Sequence, residues 1–418
     1  MKICHILQYP DMDGIVMVMK ILLATYWELP HLGGVWPLME RLAQDLIRQG
    51  HQVDILGNNP EYYHLVNRQL KFHKSLYLPL IESHLRQTDL VAVPVIYNTE
   101  IDRYTLECVA LSLRLEQYDL IHTHDVISAR AFARVKPAQL PLIVNPHGYL
   151  PGEIQLLMET NKAADRDMKP ILQYYRRIEH QGLQSASHAA SSSKWLKKRF
   201  VDDYGVAAHR ISVFPYGIDT AKYTKLLNTR NDISRPPRKK VITFAGRLVH
   251  LKGIEVLIRA LAKLKTQRND WICWIVGDGP KREEYIRFAA ACDLQEDITF
   301  WGARADVPSF MAMTDIYVQP SLQDNQPLSV IEAQLAGNAV IVSTAGGLSE
   351  MVEHRLTGLV VPKDNEHALS TLLNELLQSK EKRRKLGAKA RLFSQKHWSI
   401  DQYNRNMMRM YEQVMHKK

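Results

Sequence analysis

Residues 315–343 read DIYVQPSLQDNQPLSVIEAQLAGNAVIVS, and the hydrophobic period changes twice within them. DIYVQPS and NAVIVS are short runs rich in β-branched residues and predict buried strands. Between them PLSVIEAQLA predicts a helix, with Pro327 at its first turn, where no amide hydrogen is needed, and Gly337 as its stop. LQDNQ is then the loop at the carboxyl end of the first strand. Strand, loop, helix and strand in this order form the building block of a parallel sheet. The unit sets Asp324 beside a helix N-terminus and Glu332 in the second turn of that helix.

The same alternation extends outward in both directions. VITFAGRL, WICWIVGDG, DITFWG and TGLVVP read as further strands, with helices at IEVLIRALAKL and REEYIRFAAA, so residues 241–395 predict one α/β unit. Upstream, KILLATYW predicts a strand, followed by the loop ELPHLGG. Val35, Leu38, Met39, Leu42 and Leu46 then recur at helical spacing, and Gly50 closes that helix before the strand HQVDILG. Strands at DLIHTHD, PLIVNPHGY, SHAASSS and ISVFPYGI complete a first unit over residues 19–222.

The period is lost through TAKYTKLLNTRNDISRPPRKK, so residues 223–240 read as a linker. From His367 the chain is nearly all helical, and residues 396–418 predict a C-terminal helix crossing back to the first unit. Residues 1–18 have no place in the pattern, and MKI occurs at both Met1 and Met19, which suggests an extension or an upstream start codon. The fold class is therefore α/β, two Rossmann-like doubly wound units facing each other across a cleft where the carboxyl ends of both sheets meet one ligand.

Composition narrows the function. With 418 residues the chain is long enough for about two or three domains. Cys4, Cys108, Cys273 and Cys292 are scattered with no CxxC pair, so neither a disulfide framework nor a zinc knuckle is indicated and a reducing compartment fits. IVMVMKILLATYW is interrupted by Lys20, which suits neither a signal peptide nor a membrane span, and a cytoplasmic location is expected. The formal charge of +10 could attract phosphates, nucleic acid or an anionic membrane face. KWLKKRF (194–200) and RPPRKK (235–240) read most simply as a solvated helix face and a linker. No RRM, KH or helix-turn-helix signature supports nucleic acid as a partner.

The cleft residues carry the chemistry. Backbone N–H groups at Asn325, Gln326 and Leu328, with the positive end of the helix dipole that Pro327 opens, offer a site for phosphate. Glu332 could accept hydrogen bonds from a ribose diol, and Asp324 from the hydroxyls of a second ring; the plainer alternative is a helix cap and a solvated helix residue. Arg247 follows a strand and Lys252 precedes a helix, where both can neutralise a pyrophosphate without a metal. Gly277-Asp278-Gly279-Pro280 is a tight turn that lets backbone approach a base or ribose. His122 and His124 share a strand face beside Asp125, but a third metal ligand at suitable spacing is lacking. Asp11-Met12-Asp13 and Asp165-Arg166-Asp167 read as accidental DxD strings.

GRLVHLKG, IVGDGP, the Asp324 to Glu332 spacing, EAQLAG and STAGGLSE, in this order, resemble the donor-binding domain of glycosyltransferase family 4, retaining enzymes of GT-B fold. HLGGVWPLMERLAQDLIRQGHQVDIL, DLIHTHD, NPHGY and VFPYGID resemble the first domain of the same family. The resemblance spans nearly the whole chain from Met19. It implies that Gly34 approaches a donor diphosphate, that His147 lies beside the transferred sugar as a positioning donor, and that Arg247 and Lys252 hold the diphosphate. Glu332 would take the ribose, Asp324 the sugar hydroxyls, and Gly277 and Asp278 the base side.

The implied function is transfer of a hexosyl or N-acetylhexosaminyl group from a nucleotide-diphosphate sugar, by default a UDP-sugar. The acceptor would be a hydroxyl of a sugar, lipid-linked or small-molecule substrate in bacterial glycan, cell-envelope or small-molecule glycoside synthesis, with no metal or cofactor. Asp324 stands where the family most often has Glu, and this leaves the sugar open. The loops 62–85 and 151–169 are expected to contact the acceptor, and KWLKKRF could touch the inner membrane face if that acceptor is lipid-linked. Alternatives are a nucleotide-sugar epimerase or hydrolase of the same fold and a non-catalytic nucleotide-binding module; a sugar phosphorylase would need a pyridoxal lysine that cannot be identified.

Overall fold

The computed structural model describes residues 18–29, 34–160, 168–229 and 233–416. All but the last residue of the expected N-terminal extension, the middle of the ELPHLGG loop and both DxD strings lie outside them. In the first unit the strands are β1 (Lys20–Glu28), β2 (Gln52–Asn58), β3 (Tyr62–Leu65), β4 (Leu70–His73), β5 (Leu120–Thr123), β6 (Leu142–Val144), β7 (His188–Ser191) and β8 (Ile211–Val213). They form one sheet in the order β4-β3-β2-β1-β5-β6-β7-β8. The second unit contributes β9 (Lys240–Ala245), β10 (Trp271–Val276), β11 (Ile298–Gly302), β12 (Ile316–Gln319), β13 (Ala339–Ser343) and β14 (Leu359–Val361), ordered β11-β10-β9-β12-β13-β14 and parallel throughout.

The continuous apolar runs explain the parallel pairing. Ile21 to Ala24 in β1 and Trp271 to Val276 in β10 are buried on both faces, as a sheet covered by helices requires. Strands end where the backbone turns to the cleft. PLIVNPHGY keeps only Leu142–Val144 as strand, and ISVFPYGI only Ile211–Val213, because the prolines that follow cannot extend a ladder.

Two expectations are corrected. Residues 62–85 are not open loop: β3 and β4 form an antiparallel hairpin on the sheet edge, followed by a helix over Leu78–Leu85. Period-2 patterning over four residues is too short to stand out from a polar loop. The linker does not begin as coil either, since Thr220–Leu227 is a helix whose N-cap Asp219 accepts from the Lys222 N–H at 2.9 Å and whose Tyr223 is buried. A single apolar anchor in two turns leaves no period to read. The C-terminal run divides into helices Glu366–Gln378, Lys380–His397 and Ile400–Met415, the last two started by Ser379 and Ser399 side chains acting as N-caps.

The last helix returns to the first unit. Ile218 N–H donates to the Trp398 carbonyl at 3.0 Å, the Asn145 amide donates to the Tyr403 hydroxyl at 2.9 Å, and the Tyr411 hydroxyl is hydrogen-bonded to His122 at 2.7 Å. KWLKKRF lies in the helix Lys194–Tyr204, where Leu196 and Phe200 are buried. Two of its cations pair with acids one turn on, Lys198 with Asp202 at 2.5 Å and Arg199 with Asp203 at 2.6 Å, and Lys197 donates to the Ile211 carbonyl at 2.7 Å, so much of the run's charge is engaged on its own helix face and sheet. Among the described residues no helix is long and apolar enough to cross a membrane.

Candidate active site

A cavity of about 420 Å³ opens between the two sheets. On one side the helix Val35–Arg48 begins at Gly34, and on the other Leu328–Ala336 begins at Pro327. Neither start has a side-chain cap or an acid in its first turn. Both first turns line the cavity, so two sets of unpaired backbone N–H groups and two positive dipole ends face the same space. Arg247, at the end of the strand before the loop, and Lys252 add two cations to it.

All of the sequence-predicted residues except one border this cavity: Gly34, His147, Arg247, Lys252, Gly277, Asp278, Asp324, Gln326, Pro327, Leu328 and Glu332. Asn325 does not. Its amide donates to the Ser192 hydroxyl at 2.6 Å and to the His147 carbonyl at 3.3 Å, and its carbonyl accepts from Ser193. The side chain is a buried tie between the two units rather than a contact for ligand. Gln326 has a share in the same task, since its carbonyl accepts from the Tyr216 N–H at 2.7 Å. The polar loop residues following Asp324 therefore hold the second unit against the ends of β6, β7 and β8.

Asp324 and Lys252 are joined to each other. The ammonium donates to Asp324 Oδ2 at 2.6 Å, the Ser321 hydroxyl donates to the same oxygen at 2.9 Å, and the Asn325 N–H donates to Oδ1 at 3.1 Å. Such an arrangement fixes Lys252 at the cavity wall while leaving it two further donors. Gly347, from the STAGGLSE motif, supports the loop from behind by donating its N–H to the Asp324 carbonyl at 3.1 Å.

Gly277 is held by backbone alone. Its φ is +135°, and a Cβ added there would lie 1.9 Å from the Gly246 carbonyl, so only glycine lets the turn after β10 close over the turn after β9. The Gly277 N–H also donates to the Gly302 carbonyl at 2.8 Å, so Gly277, Asp278 and Ala303 line the cavity together. Glu332 also lines the cavity, with its carboxyl pushed up to about 7 by burial.

His147 reaches the cavity with both ring nitrogens engaged: Nε2 is 3.2 Å from His124 Nδ1, and Nδ1 is bonded to the Tyr216 hydroxyl. The rings of His124 and His147 stack at 5.4 Å with an interplanar angle of 10°, and His122 lies 4.3 Å from His124 on the other side. Burial lowers His122 to about 3 and His124 well below the usual range, so both are neutral. The third histidine invisible in the local spacing is thus His147, but it stacks on His124 while His122 lies tilted against the other side, and no described group of three His, Cys, Asp or Glu could hold a metal ion.

Residues 227–393 match the profile of the family "Glycosyl transferases group 1", and residues 32–222 match that of "Glycosyltransferase Family 4". An uncharacterised glycosyltransferase of Methanocaldococcus jannaschii is 25% identical over 86% of this chain and 89% of its own length. A GDP-mannose-dependent phosphatidylinositol monomannoside mannosyltransferase of Mycobacterium tuberculosis is 28% identical, over 50% of this chain and 57% of its own. The Anabaena protein HepE, solved with UDP and glucose, superposes with a TM-score of 0.66 at 19% identity, covering 94% of this chain and all of that one. The shared architecture is GT-B.

Proposed function

The chain belongs to glycosyltransferase family 4, and from that premise we propose that it moves a hexosyl or N-acetylhexosaminyl group from a nucleoside-diphosphate sugar to an acceptor hydroxyl with retained anomeric configuration. One observation carries the reading: two uncapped helix starts, Arg247 and Lys252 converge on a single cavity between the two sheets. That is a site for a diphosphate, and a better one for a diphosphate gaining charge.

As the anomeric C–O bond breaks, negative charge grows on the departing phosphate oxygen. Donors already aimed at that oxygen stabilise the transition state more than the ground state. The acceptor oxygen forms its bond to the anomeric carbon on the face the diphosphate leaves, and its proton passes to the departing phosphate oxygen. No protein nucleophile is needed. The role of His147, with both nitrogens bonded, is to form a fixed wall beside the sugar and not to take a proton. Residues at the Gly277 end take the base, and Glu332 takes the ribose diol.

A UDP-sugar is the default donor, in keeping with the UDP held by the similarly folded HepE, while the GDP-mannose dependence of the mycobacterial relative makes guanosine the second choice. Calorimetric titration with UDP, GDP and their hexose conjugates, in competition with a single-stranded oligonucleotide, tests the reading. Micromolar binding of one nucleotide series, undisturbed by the oligonucleotide, is expected; binding of the oligonucleotide alone would overturn it. Release of nucleotide that depends on added acceptor separates a transferase from an epimerase or hydrolase.

Glu332 makes the site pH-dependent. A carboxyl at about 7 is half protonated at neutral pH, and a diol that donates to the carboxylate prefers the ionised form. Affinity for the nucleotide is therefore expected to rise as pH increases from about 6 to 8, by roughly tenfold for each unit below the midpoint. Glu332→Gln removes the ionisation, so wild type and variant should differ in slope, isolating Glu332 from the titration of the phosphate itself. Parallel pH profiles would exclude Glu332 as the diol acceptor.

A further inference from the structure

Asp324 is the acid expected to grip the transferred sugar, yet its oxygens are already occupied by Lys252, Ser321 and the Asn325 N–H. A second carboxylate lies nearby. Glu153 is in the first turn of the helix Leu150–Thr160, which starts three residues after His147. Its Oε1 occupies the space above Gly148, where a Cβ would be only 2.0 Å away. The absent side chain at 148 is thus what admits the carboxylate beside the His147 wall.

The helix start is held from both units. Below it, Glu179 accepts from the Leu150 N–H at 3.0 Å and from the Tyr204 hydroxyl at 2.6 Å. From the second unit, the Gln323 amide donates to the Tyr149 carbonyl at 2.9 Å. Glu153 itself accepts no side-chain hydrogen bond among the described residues. Its electrostatic neighbours are Arg247, Lys252 and Asp324, the groups at the diphosphate end of the cavity, while burial pushes its carboxyl up. A carboxylate on a held helix start, without a side-chain donor among the described residues and within the field of the diphosphate cations, is suited to accept hydrogen bonds from hydroxyls of a ring attached to that diphosphate.

Resting on the donor reading above, we propose that Glu153 recognises the hydroxyls of the transferred sugar and selects neutral hexoses over hexuronic acids, while Asp324 serves to hold Lys252. A sugar carboxylate would meet Glu153 and Asp324 as like charges, and this sets the discrimination.

The test compares wild type, Glu153→Gln and Gly148→Ala by calorimetry with UDP, UDP-glucose and UDP-glucuronate, or with GDP, GDP-mannose and GDP-mannuronate if guanosine is the base. Both variants are expected to bind the bare nucleotide as wild type does, within about twofold, and the hexose conjugate about 10- to 100-fold more weakly relative to it. In Glu153→Gln the hexuronate conjugate should bind more tightly than in wild type. Gly148→Ala keeps the charge but displaces the carboxylate, so a matching loss ties the effect to position. Unchanged discrimination between nucleotide and nucleotide-hexose in both variants would overturn the proposal, as would an equal loss for bare nucleotide and conjugate. Failure of wild type to bind either nucleotide would instead overturn the donor reading itself.

Discussion

Arg247→Ala is expected to lower turnover by about 10²- to 10³-fold while leaving the melting temperature unchanged. Arg247 is exposed and borders the cavity, and its side chain makes no hydrogen bond among the described residues, so truncating it takes nothing from the fold. What it removes is a guanidinium aimed at the leaving diphosphate, and loss of one such preorganised donor costs about 3–4 kcal/mol of transition-state stabilisation. Lys252→Ala should cost a similar factor in turnover, but with a lower melting temperature as well. The Lys252 and Asp324 side chains are only 13% and 10% exposed, and deleting the ammonium leaves Asp324 buried without its partner. Steady-state kinetics with the best donor, read beside thermal melts, distinguishes the two. Equal melting temperatures and equal activity loss would mean that the Lys252–Asp324 pair adds nothing to stability; wild-type activity of Arg247→Ala would remove the diphosphate role.

Truncation before Ser399 is expected to abolish folding of the first unit. The helix Ile400–Met415 buries Ile400, Tyr403, Met407, Met410 and Tyr411 in the core that also contains β1 and the helix Val35–Arg48. Exposing this surface forfeits about 1.5–3 kcal/mol for each large side chain, and the sum is comparable to the whole net stability of a domain, roughly 5–15 kcal/mol. It also strips His122 and Asn145 of the Tyr411 and Tyr403 hydroxyls inside the sheet. The truncated chain should give aggregated protein without a cooperative melt. Tyr411→Phe, which keeps the packing and removes only the hydroxyl, should fold with a loss of about 1–2 kcal/mol. A truncated chain that melts cooperatively and binds nucleotide would show that the returning helix is dispensable.

Much of the architecture was legible because the signals are local. Buried strands such as Trp271–Val276 and the helix between Pro327 and Gly337 announce themselves within a dozen residues, through period, proline and glycine. Where local signals are weak, reading failed: the hairpin Tyr62–His73 is made of four-residue strands, and the Thr220–Leu227 helix has one buried apolar residue. The grouping of the cavity residues was legible for a related reason. In a parallel sheet every strand delivers its carboxyl end to the same edge, so residues immediately after β9, β10 and β12 must meet there.

What the sequence determined by itself is therefore the two wound sheets, the edge at which they face each other, and the kinds of residue gathered along it. What only the tertiary structure decided is how those residues divide the work: Asn325 ties the units, Asp324 holds Lys252, and the Glu153 carboxyl packs over Gly148 without a side-chain hydrogen bond among the described residues. The reason is physical. Backbone conformation follows from neighbours along the chain, whereas the availability of a polar side chain depends on which distant donors reach it first, and Asp324 meets Lys252 across 72 positions of sequence.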